Sequence, residues 1–410
     1  MPRLIYNNPF FTGIEIPEEL FCDREQETAL IIKHITNGSN IVLKSPRRLG
    51  KSSLIKHVLN QHTIKAGYNT LYIDIYGTKN AADFQFEFQS RLLSAPFAKG
   101  TRLKKEFEAF AKSAYLDFGS VDSSGQIHLP RLGFSPGYLP RLSLKEMFDF
   151  LKNTEKPNIV VIDEFQQIQE YPERMSAILR SYIQEMGNTR FIFSGSSRHM
   201  LTTMFQLSNQ PFYKSAESMD LDIIPLNTYT EFCGRMFAMF DKAIEKEAVE
   251  LAYFLFSGET YLMQELMKEV FSSTATGKAA GVDSVKAAVT VMMERKDSDY
   301  RDILNRLNSK KERNTLLCIA NEGIGRQLTA SATMKKYELD NASSVQNALK
   351  NLGEENLNII SKIEKGVYTI QDRLFELWIA DKGGYLERKY TEAAQRFKEQ
   401  QSLEKSIPTI

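Results

Sequence analysis

The sequence contains very little cysteine. Its three cysteines, Cys22, Cys233 and Cys318, lie far apart and form no C-x-x-C pair. An odd number of widely spaced thiols excludes a disulfide framework and argues against a zinc site. The pattern is typical of reduced thiols, so we expect a cytoplasmic protein.

The sequence also lacks an apolar run of membrane-spanning length, and its first residues do not resemble a signal peptide. Positive and negative charges nearly cancel, which leaves a formal net charge of +1. This balance gives no general attraction to nucleic acid or to an anionic membrane. We therefore expect no membrane partner, and we expect any nucleic-acid surface to be local.

What remains is an ordinary globular composition, with 42% hydrophobic and 25% charged residues in a chain of 410. Strands and helices alternate up to about residue 225, which predicts a parallel α/β sheet with right-handed crossovers. A Gly-, Ser- and Pro-rich insertion at 117–140 receives no assignment. We predict four parts: an α/β domain at 1–226, a helical domain at 227–308, three helices and a β-hairpin that suggest a winged helix at 309–385, and a helical tail at 386–410.

The stretch from Asn40 to Ser53 combines a short apolar strand, a tight loop and a Gly-Lys-Ser that opens a helix. In such a phosphate loop the backbone N–H groups and the helix N-terminus bind an anion, a lysine reaches the terminal phosphates and a hydroxyl ligates Mg²⁺. These last two roles fall to Lys51, which we also count as catalytic, and to Ser52. The predicted nucleotide-binding residues are Ser45, Pro46, Arg47, Arg48, Leu49, Gly50, Lys51, Ser52 and Ser53.

The loop departs from the pattern G-x-x-x-x-G-K-[ST] because Ser45 stands where the first glycine belongs. A serine is strained at that position if the loop requires a positive φ there. Arg47 and Arg48 lie inside the loop. We leave open whether they contact phosphate, a neighbouring subunit or acidic surface residues.

A second motif, Asn-Ile-Val-Val-Ile-Asp-Glu at 158–164, is an apolar strand that ends in two carboxylates. Parallel sheets place their ligand sites at the carboxyl ends of the strands. We predict that Asp163 holds the same Mg²⁺ through a water molecule and that Glu164 orients and deprotonates the attacking water. The alternative, a strand end that simply meets solvent, is disfavoured by the phosphate loop upstream.

Polar residues also follow the next apolar strand, at Ser194, Ser196 and Arg198. The two serines are candidate sensors of the γ-phosphate, and the arginine is a candidate charge sensor or arginine finger. The alternative is a Ser-Gly-Ser turn that caps a helix at about 198–206. The residues alone favour neither interpretation.

Together these segments resemble the P-loop ATPases of the AAA+ and STAND-related group often called archaeal-type ATPases. The resemblance rests on the phosphate loop (Walker A), on the carboxylate strand (Walker B), on Phe-Ser-Gly-Ser-Ser-Arg-His-Met at 193–200 and on C-terminal segments at 346–349 and 368–378. It implies that the Ser194 strand lies between the Lys51 and Asp163 strands. It also implies ATP and Mg²⁺ as ligands, and a lid and winged helix that close on the nucleotide. Relatives carry Gly-(His/Asn)-Pro-Tyr where this chain has Gly258-Glu259-Thr260-Tyr261, so we assign Tyr261 no sensing role.

Three functions are compatible with these features. The first is a slow ATPase that binds ATP, releases ADP and acts as a conformational switch. The second is an ATP-regulated protein that binds DNA through the winged helix, although Glu354, Glu355 and Glu364 disfavour strong phosphate contacts. The third is an oligomeric switch that controls a protein effector. A GTPase is disfavoured because no strand ends in an Asn-Lys-x-Asp guanine-reading motif.

Overall fold

A computed structural model describes residues 6–13, 15–99, 101, 142–307, 309–353, 356–381, 388, 390 and 391. The predicted insertion at 117–140 and most of the predicted tail at 386–410 lie outside these residues. The chain divides into two compact units. One unit comprises Gly13–Glu18 and Arg24–Asp222, and the other comprises Met1–Thr12, Glu19–Asp23 and Ile223–Ile410.

The first unit is built on a five-stranded sheet in which every neighbouring pair is parallel. Its strands are β1 (Ile41–Lys44), β2 (Asn69–Asp74), β3 (Asn158–Asp163), β4 (Thr189–Gly195) and β5 (Glu217–Asp220). The order across the sheet is β2-β3-β4-β1-β5. The strand of Ser194 therefore lies between the phosphate-loop strand and the Asp163 strand, which confirms the order that the family resemblance implies.

Helices cover this sheet and explain why its central strands are apolar on both faces. Every residue of β1 and β3 is buried. The helices are α1 (Glu25–Thr36), α2 (Lys51–Asn60), α3 (His62–Gly67), α4 (Ala81–Ser94), α5 (Leu144–Lys152), α6 (Met175–Gln184) and α7 (Arg198–Gln206).

A short 3₁₀ helix, Phe165–Glu170, follows β3 directly. Phe165 is fully buried, and its ring centroid lies 4.5 Å from that of Phe193 in β4 and 5.1 Å from that of Phe212. This aromatic packing fixes the backbone at the point where the chain leaves β3. The predicted site residues at the end of β3 therefore stand on a rigid support.

The second unit begins with helices and ends in a winged-helix arrangement. Its first helices are α8 (Leu226–Ala238), α9 (Lys246–Leu255), α10 (Thr260–Ser273) and α11 (Val282–Asn305), with a short parallel pair β6 (Ala243–Ile244) and β7 (Ala279–Ala280). The remaining elements are α12 (Lys310–Glu322), β8 (Gly325–Arg326), α13 (Ser331–Lys336), α14 (Ala342–Leu352), β9 (Ile360–Glu364), β10 (Val367–Ile370) and α15 (Arg373–Asp381).

The strands of the winged helix form an antiparallel sheet in the order β8-β10-β9. The sequence predicts the hairpin of β9 and β10 but not β8, because a two-residue strand is too short to carry a recognisable pattern. None of the described helices is long and apolar enough to cross a membrane.

The N-terminal segment packs within the second unit. Phe10 is 2% exposed, and its ring lies 5.7 Å from Phe237 and 6.0 Å from both Phe232 and Phe271, measured between centroids. Asn8 donates from Nδ2 to the backbone oxygen of Lys268 at 2.9 Å. This aromatic cluster therefore joins the N-terminal segment to helices from the middle of the sequence.

Candidate nucleotide-binding site

The predicted phosphate loop connects β1 to α2. Its last residue, Gly50, has a φ of 85°, and Arg48 has a φ of 68°. Ser45 is fully buried and is not among the residues with positive φ. Its hydroxyl donates to the backbone oxygen of Pro46 at 3.0 Å. The serine in place of the first glycine therefore introduces no backbone strain, because the left-handed turn lies further along the loop.

Lys51 and Ser52, the first residues of α2, meet the end of β3. The Lys51 ammonium lies 2.6 Å from Asp163 Oδ1 and 3.0 Å from Glu164 Oε1. The Ser52 hydroxyl donates to Asp163 Oδ2 at 2.8 Å. Four residues that the sequence singles out in two separate motifs are thus in direct contact.

Asp163 is 3% exposed and accepts several hydrogen bonds. Oδ1 accepts from Lys51, from the Ser194 hydroxyl at 2.6 Å and from the backbone N–H of Glu164 at 2.9 Å. Oδ2 accepts from Ser52 and from the Tyr72 hydroxyl. Burial alone raises the pKa of Asp163, but the Lys51 charge and the hydrogen bonds from Lys51, Ser194 and Tyr72 outweigh burial and lower that pKa to about 2. The carboxylate is therefore ionised at neutral pH.

Glu164 turns the chain sharply as it leaves β3, with a left-handed φ of 56°. Such a backbone conformation is uncommon and unfavourable for a residue other than glycine, and here it aims the Glu164 carboxylate at Lys51 and Ser196. Burial raises the pKa of its carboxyl, but the Lys51 charge and the hydrogen bonds from Gln166 and Ser196 lower that pKa below its ordinary value.

The candidate sensor residues separate into two groups. Ser194 donates to Asp163 at 2.6 Å, and Ser196 donates to Glu164 Oε2 from its hydroxyl at 2.7 Å and from its backbone N–H at 3.2 Å. The two serines therefore contact the predicted metal ligand and the predicted base. The helix α7 does begin after them, but its cap is the hydroxyl of Ser197.

Arg198 binds elsewhere. It donates from Nη2 to the backbone oxygen of Leu221 at 2.8 Å and to Asp222 Oδ1 at 2.9 Å, at the end of the first unit. Arg47 is exposed and places its guanidinium carbon 5.7 Å from the centroid of the Tyr76 ring. The proposed role of Arg198 as a charge sensor or finger stays a prediction.

The remaining predicted nucleotide-binding residues lie around the cluster of Lys51, Ser52, Asp163 and Glu164. Pro46 and Arg48 are exposed, Leu49 is buried with 7% exposure, and Ser53 donates from its hydroxyl to the backbone oxygen of Gly13 at 3.3 Å. Tyr261 lies on α10 in the second unit and is 42% exposed.

Two family models match the chain. One, described as an ATPase domain predominantly from Archaea, matches residues 21–266, and the other, described as a probable winged helix domain, matches residues 298–381. The chain belongs to this archaeal-type ATPase family. Its reaction is therefore the hydrolysis of ATP.

Solved structures agree on the fold of the ATPase. The Walker-type ATPase PABY2304 of Pyrococcus abyssi is 21% identical, with a TM-score of 0.60 over 90% of this chain and 99% of that one. The ORC2 protein of Aeropyrum pernix, solved as ADPNP–ADP complexes, is 11% identical, with a TM-score of 0.52 over 95% of this chain and 99% of that one. No curated protein matches.

The structure adds two residues to the ATPase site, Tyr72 and Gln166, which the sequence analysis does not predict. Tyr72 lies on the edge strand β2, and burial and the Asp163 carboxylate raise its pKa, so its hydroxyl stays protonated and donates to Asp163. Gln166 donates from Nε2 to Glu164 Oε2 at 2.5 Å. The sequence contains part of a signal for Tyr72, because period-two alternation puts Tyr72 and Asp74 on one face of β2. The pairing of Asp74 with Asp163, which brings that face to the site, is known only from the structure.

The donor set of the ATPase fits Mg²⁺. Ser52 Oγ and Asp163 Oδ2 lie 2.8 Å apart, and both are hard oxygen donors of the kind that this ion prefers. Within the described ranges, no group of three or more His, Cys, Asp or Glu residues could hold a metal ion. Ser52 and Asp163 are the residues that would hold a Mg²⁺ ion, and the ion would supply positive charge next to the phosphates.

Proposed function

We propose that this chain is a Mg²⁺-dependent ATPase whose slow hydrolysis acts as a conformational switch. The observation that carries the proposal is the cluster of Lys51, Ser52, Asp163 and Glu164, in which two sequence motifs meet within hydrogen-bonding distance around the buried Lys51–Asp163 pair. Side chains that are fixed in this way meet the main demand of phosphoryl transfer, which is positioning and charge stabilisation.

Each residue has a distinct role in this proposal. The backbone N–H groups of residues 45–53 and the N-terminus of α2 bind the phosphates, and Lys51 offsets their negative charge. Ser52 and Asp163 hold Mg²⁺, which when bound neutralises the phosphate oxygens. Glu164 accepts a proton from water as the water oxygen attacks the γ-phosphorus. The bond to the ADP oxygen then breaks, and the products are ADP and inorganic phosphate.

The switch role is supported by the location of the nucleotide cluster and the winged helix in different units of the chain. The cluster lies in the first unit, whereas the winged helix lies in the second. Ser194 and Ser196 connect the two carboxylates to the end of β4, so the state of the phosphates bears on this strand. We expect a turnover below about 1 s⁻¹, which is the lower end of the usual range for enzymes.

Two variants test the proposal. Lys51→Ala should abolish ATP binding, because the ammonium that offsets the phosphate charge is lost. Glu164→Gln should retain ATP but lower turnover at least about 100-fold, because an amide accepts no proton. Calorimetric ATP titration and phosphate release measure these effects, and the exposed Lys65→Ala on α3 serves as the control. Binding of Mg-ATP by Lys51→Ala with wild-type affinity would contradict the site assignment.

A second candidate function, DNA binding through the winged helix, has one observation in its favour. The exposed residues of α14 include Ser343, Gln346, Asn347 and Lys350 but no acidic side chain. Beside this helix is a cavity of about 350 Å³ whose lining includes Arg326 and Lys365. Amide side chains read base edges, and basic side chains contact phosphate. A filter-binding titration should then show affinity that falls steeply with salt, and a flat salt dependence would contradict DNA binding.

The third possibility is an oligomeric switch that controls a protein effector, and it is tested by the mass of the native protein. Under this alternative, native mass measurement with ATP-γ-S should give a larger species than measurement without nucleotide. An unchanged monomer mass in both conditions, with no co-purifying protein, would contradict it.

A further inference from the structure

Glu164 offers its two carboxylate oxygens to different neighbours. Oε1 lies 3.0 Å from the Lys51 ammonium, on the side of the phosphate loop. Oε2 accepts three hydrogen bonds: from Gln166 Nε2 at 2.5 Å, from the Ser196 hydroxyl at 2.7 Å and from the Ser196 backbone N–H at 3.2 Å. Oε2 is therefore held by residues that follow β3 and β4, while Oε1 is held by the lysine of the phosphate loop.

Gln166 is itself held in a single position. It is 8% exposed, and its Nε2 also approaches the Ser196 hydroxyl at 3.5 Å. Its Oε1 is buried and has no hydrogen-bond partner in the part of the chain that the structure describes. The reverse orientation of the amide would set Oε1 against a carboxylate oxygen, so the donor must face Glu164. A buried acceptor left without a bond costs stability, so the amide holds this orientation for the bond that its donor makes to Glu164.

Gly195 provides the space for this amide. A Cβ built on Gly195 would lie 1.9 Å from Gln166 Oε1 and 3.1 Å from Gln166 Cδ. Gly195 does not have a positive φ, so a side chain here would act through space, by displacing the Gln166 amide, and not through backbone strain. The end of β4 is thus shaped to receive the side chain of Gln166.

We propose that Gln166, seated on Gly195, is a positioning residue that anchors Glu164 Oε2 and so presents Oε1 to the attacking water. The inference rests on the proposed function, in which Glu164 is the base. The left-handed turn at Glu164 and the buried Phe165 lead the chain back toward β4, which brings Gln166 to this seat. Gln166 acts through Glu164 and does not contact the phosphates in this assignment.

The first test removes the donor and keeps the bulk. Gln166→Met should lower kcat by about 10- to 100-fold, since misplacing a reacting group by about 1 Å costs on the order of 100-fold. The dissociation constant for ATP, measured by calorimetry, should stay within twofold of wild type, because the phosphate loop is untouched. Gln169→Met is the matched control, an exposed glutamine on the same 3₁₀ helix that donates to Ser176. A kcat within twofold of wild type would overturn the inference, and so would a loss confined to ATP affinity.

The second test uses Gly195. Gly195→Ala should lower kcat at least tenfold in the wild-type background, because the new methyl group displaces the Gln166 amide. In a Gln166→Ala background the same change should cost at most twofold more, because the amide is already absent and the remaining close contact, with Leu201 Cδ1 at 3.1 Å, is relieved by a small shift of that side chain. An equal loss in both backgrounds would mean that Gly195 acts independently of Gln166 and would overturn the inference. If Gln166→Met lowers the melting temperature too far for assay, Gly195→Ala in the wild-type background still tests the inference, because that variant keeps the glutamine.

The two variants Glu164→Gln and Gln166→Met together distinguish an error in the positioning role from an error in the assignment of the base. If Glu164→Gln turns over at the wild-type rate, the assignment of the base is wrong and the inference is refuted with it. If Glu164→Gln stops turnover while Gln166→Met does not slow it, the base stands and only the positioning role is refuted.

Discussion

Two ion pairs of almost equal length lie in very different surroundings. Lys51 and Asp163 are 2.6 Å apart, with side chains 7% and 5% exposed, in the α/β unit. Lys310 and Glu338 are 2.8 Å apart, with side chains 78% and 72% exposed, in the winged helix. Water screens the second pair and hydrates each partner alone, whereas the first pair has only protein groups around it. Distance alone therefore says little about what an ion pair contributes.

The largest effect is expected from breaking the buried pair. Lys51→Met should lower the free energy of unfolding of the α/β unit by about 3 kcal/mol, the lower end for a buried charge left without its partner. The hydroxyl and backbone donors around Asp163 keep the loss from being larger. Hydrogen exchange of the β3 amides measures it, because these amides report opening of this unit.

The matched change in the exposed pair is Lys310→Met. It should leave the exchange of the α12 amides unchanged within error, because the exposed Glu338 is hydrated when its partner is removed. A comparable loss in both variants would show that burial does not decide the contribution of these pairs.

An intermediate effect is expected from Tyr72→Phe, which removes one donor from the same carboxylate. Asp163 Oδ2 keeps its bond from Ser52, so the loss in unfolding free energy should be about 1–2 kcal/mol. Because the carboxylate is then less well held, half-maximal turnover should need several-fold more Mg²⁺. Tyr76→Phe is the control, since Tyr76 is 59% exposed. Equal Mg²⁺ requirements in the two variants would separate Tyr72 from the metal site.

The smallest effect is expected from restoring the missing glycine. Ser45→Gly should leave the ATP dissociation constant within twofold and lower stability by about 0.5 kcal/mol, because glycine gains more freedom in the unfolded chain. The reverse exchange, Gly50→Ser, should cost about 1–2 kcal/mol, since this position has a φ of 85°. A tenfold gain in ATP affinity for Ser45→Gly would contradict the placement of the left-handed turn.

The parallel sheet and most of the site could be predicted from the sequence, because they depend on the order of strands and helices and on hydrophobic periodicity. Apolar strands that alternate with helices give a parallel sheet, and its strands end at one edge, so Lys51, Ser52 and Asp163 meet there. Gln166 is harder to predict, because its direction depends on a single left-handed residue, Glu164, and no periodicity signals such a turn. The partners of Arg198 are equally hidden, since Asp222 lies after a different strand.

The docking of Phe10 into the helices of the second unit has a consequence for the order of synthesis. Asn8 bonds to Lys268, which lies 260 residues further along the chain. At 5–20 residues per second a ribosome needs roughly 13–50 s to cover that interval. The α/β unit from Arg24 to Asp222 is made entirely within this time. The aromatic N-terminal segment must therefore stay out of the core of the α/β unit while that unit folds. Although it is made first, the segment can dock only when the helices of the second unit have been made, about half a minute later.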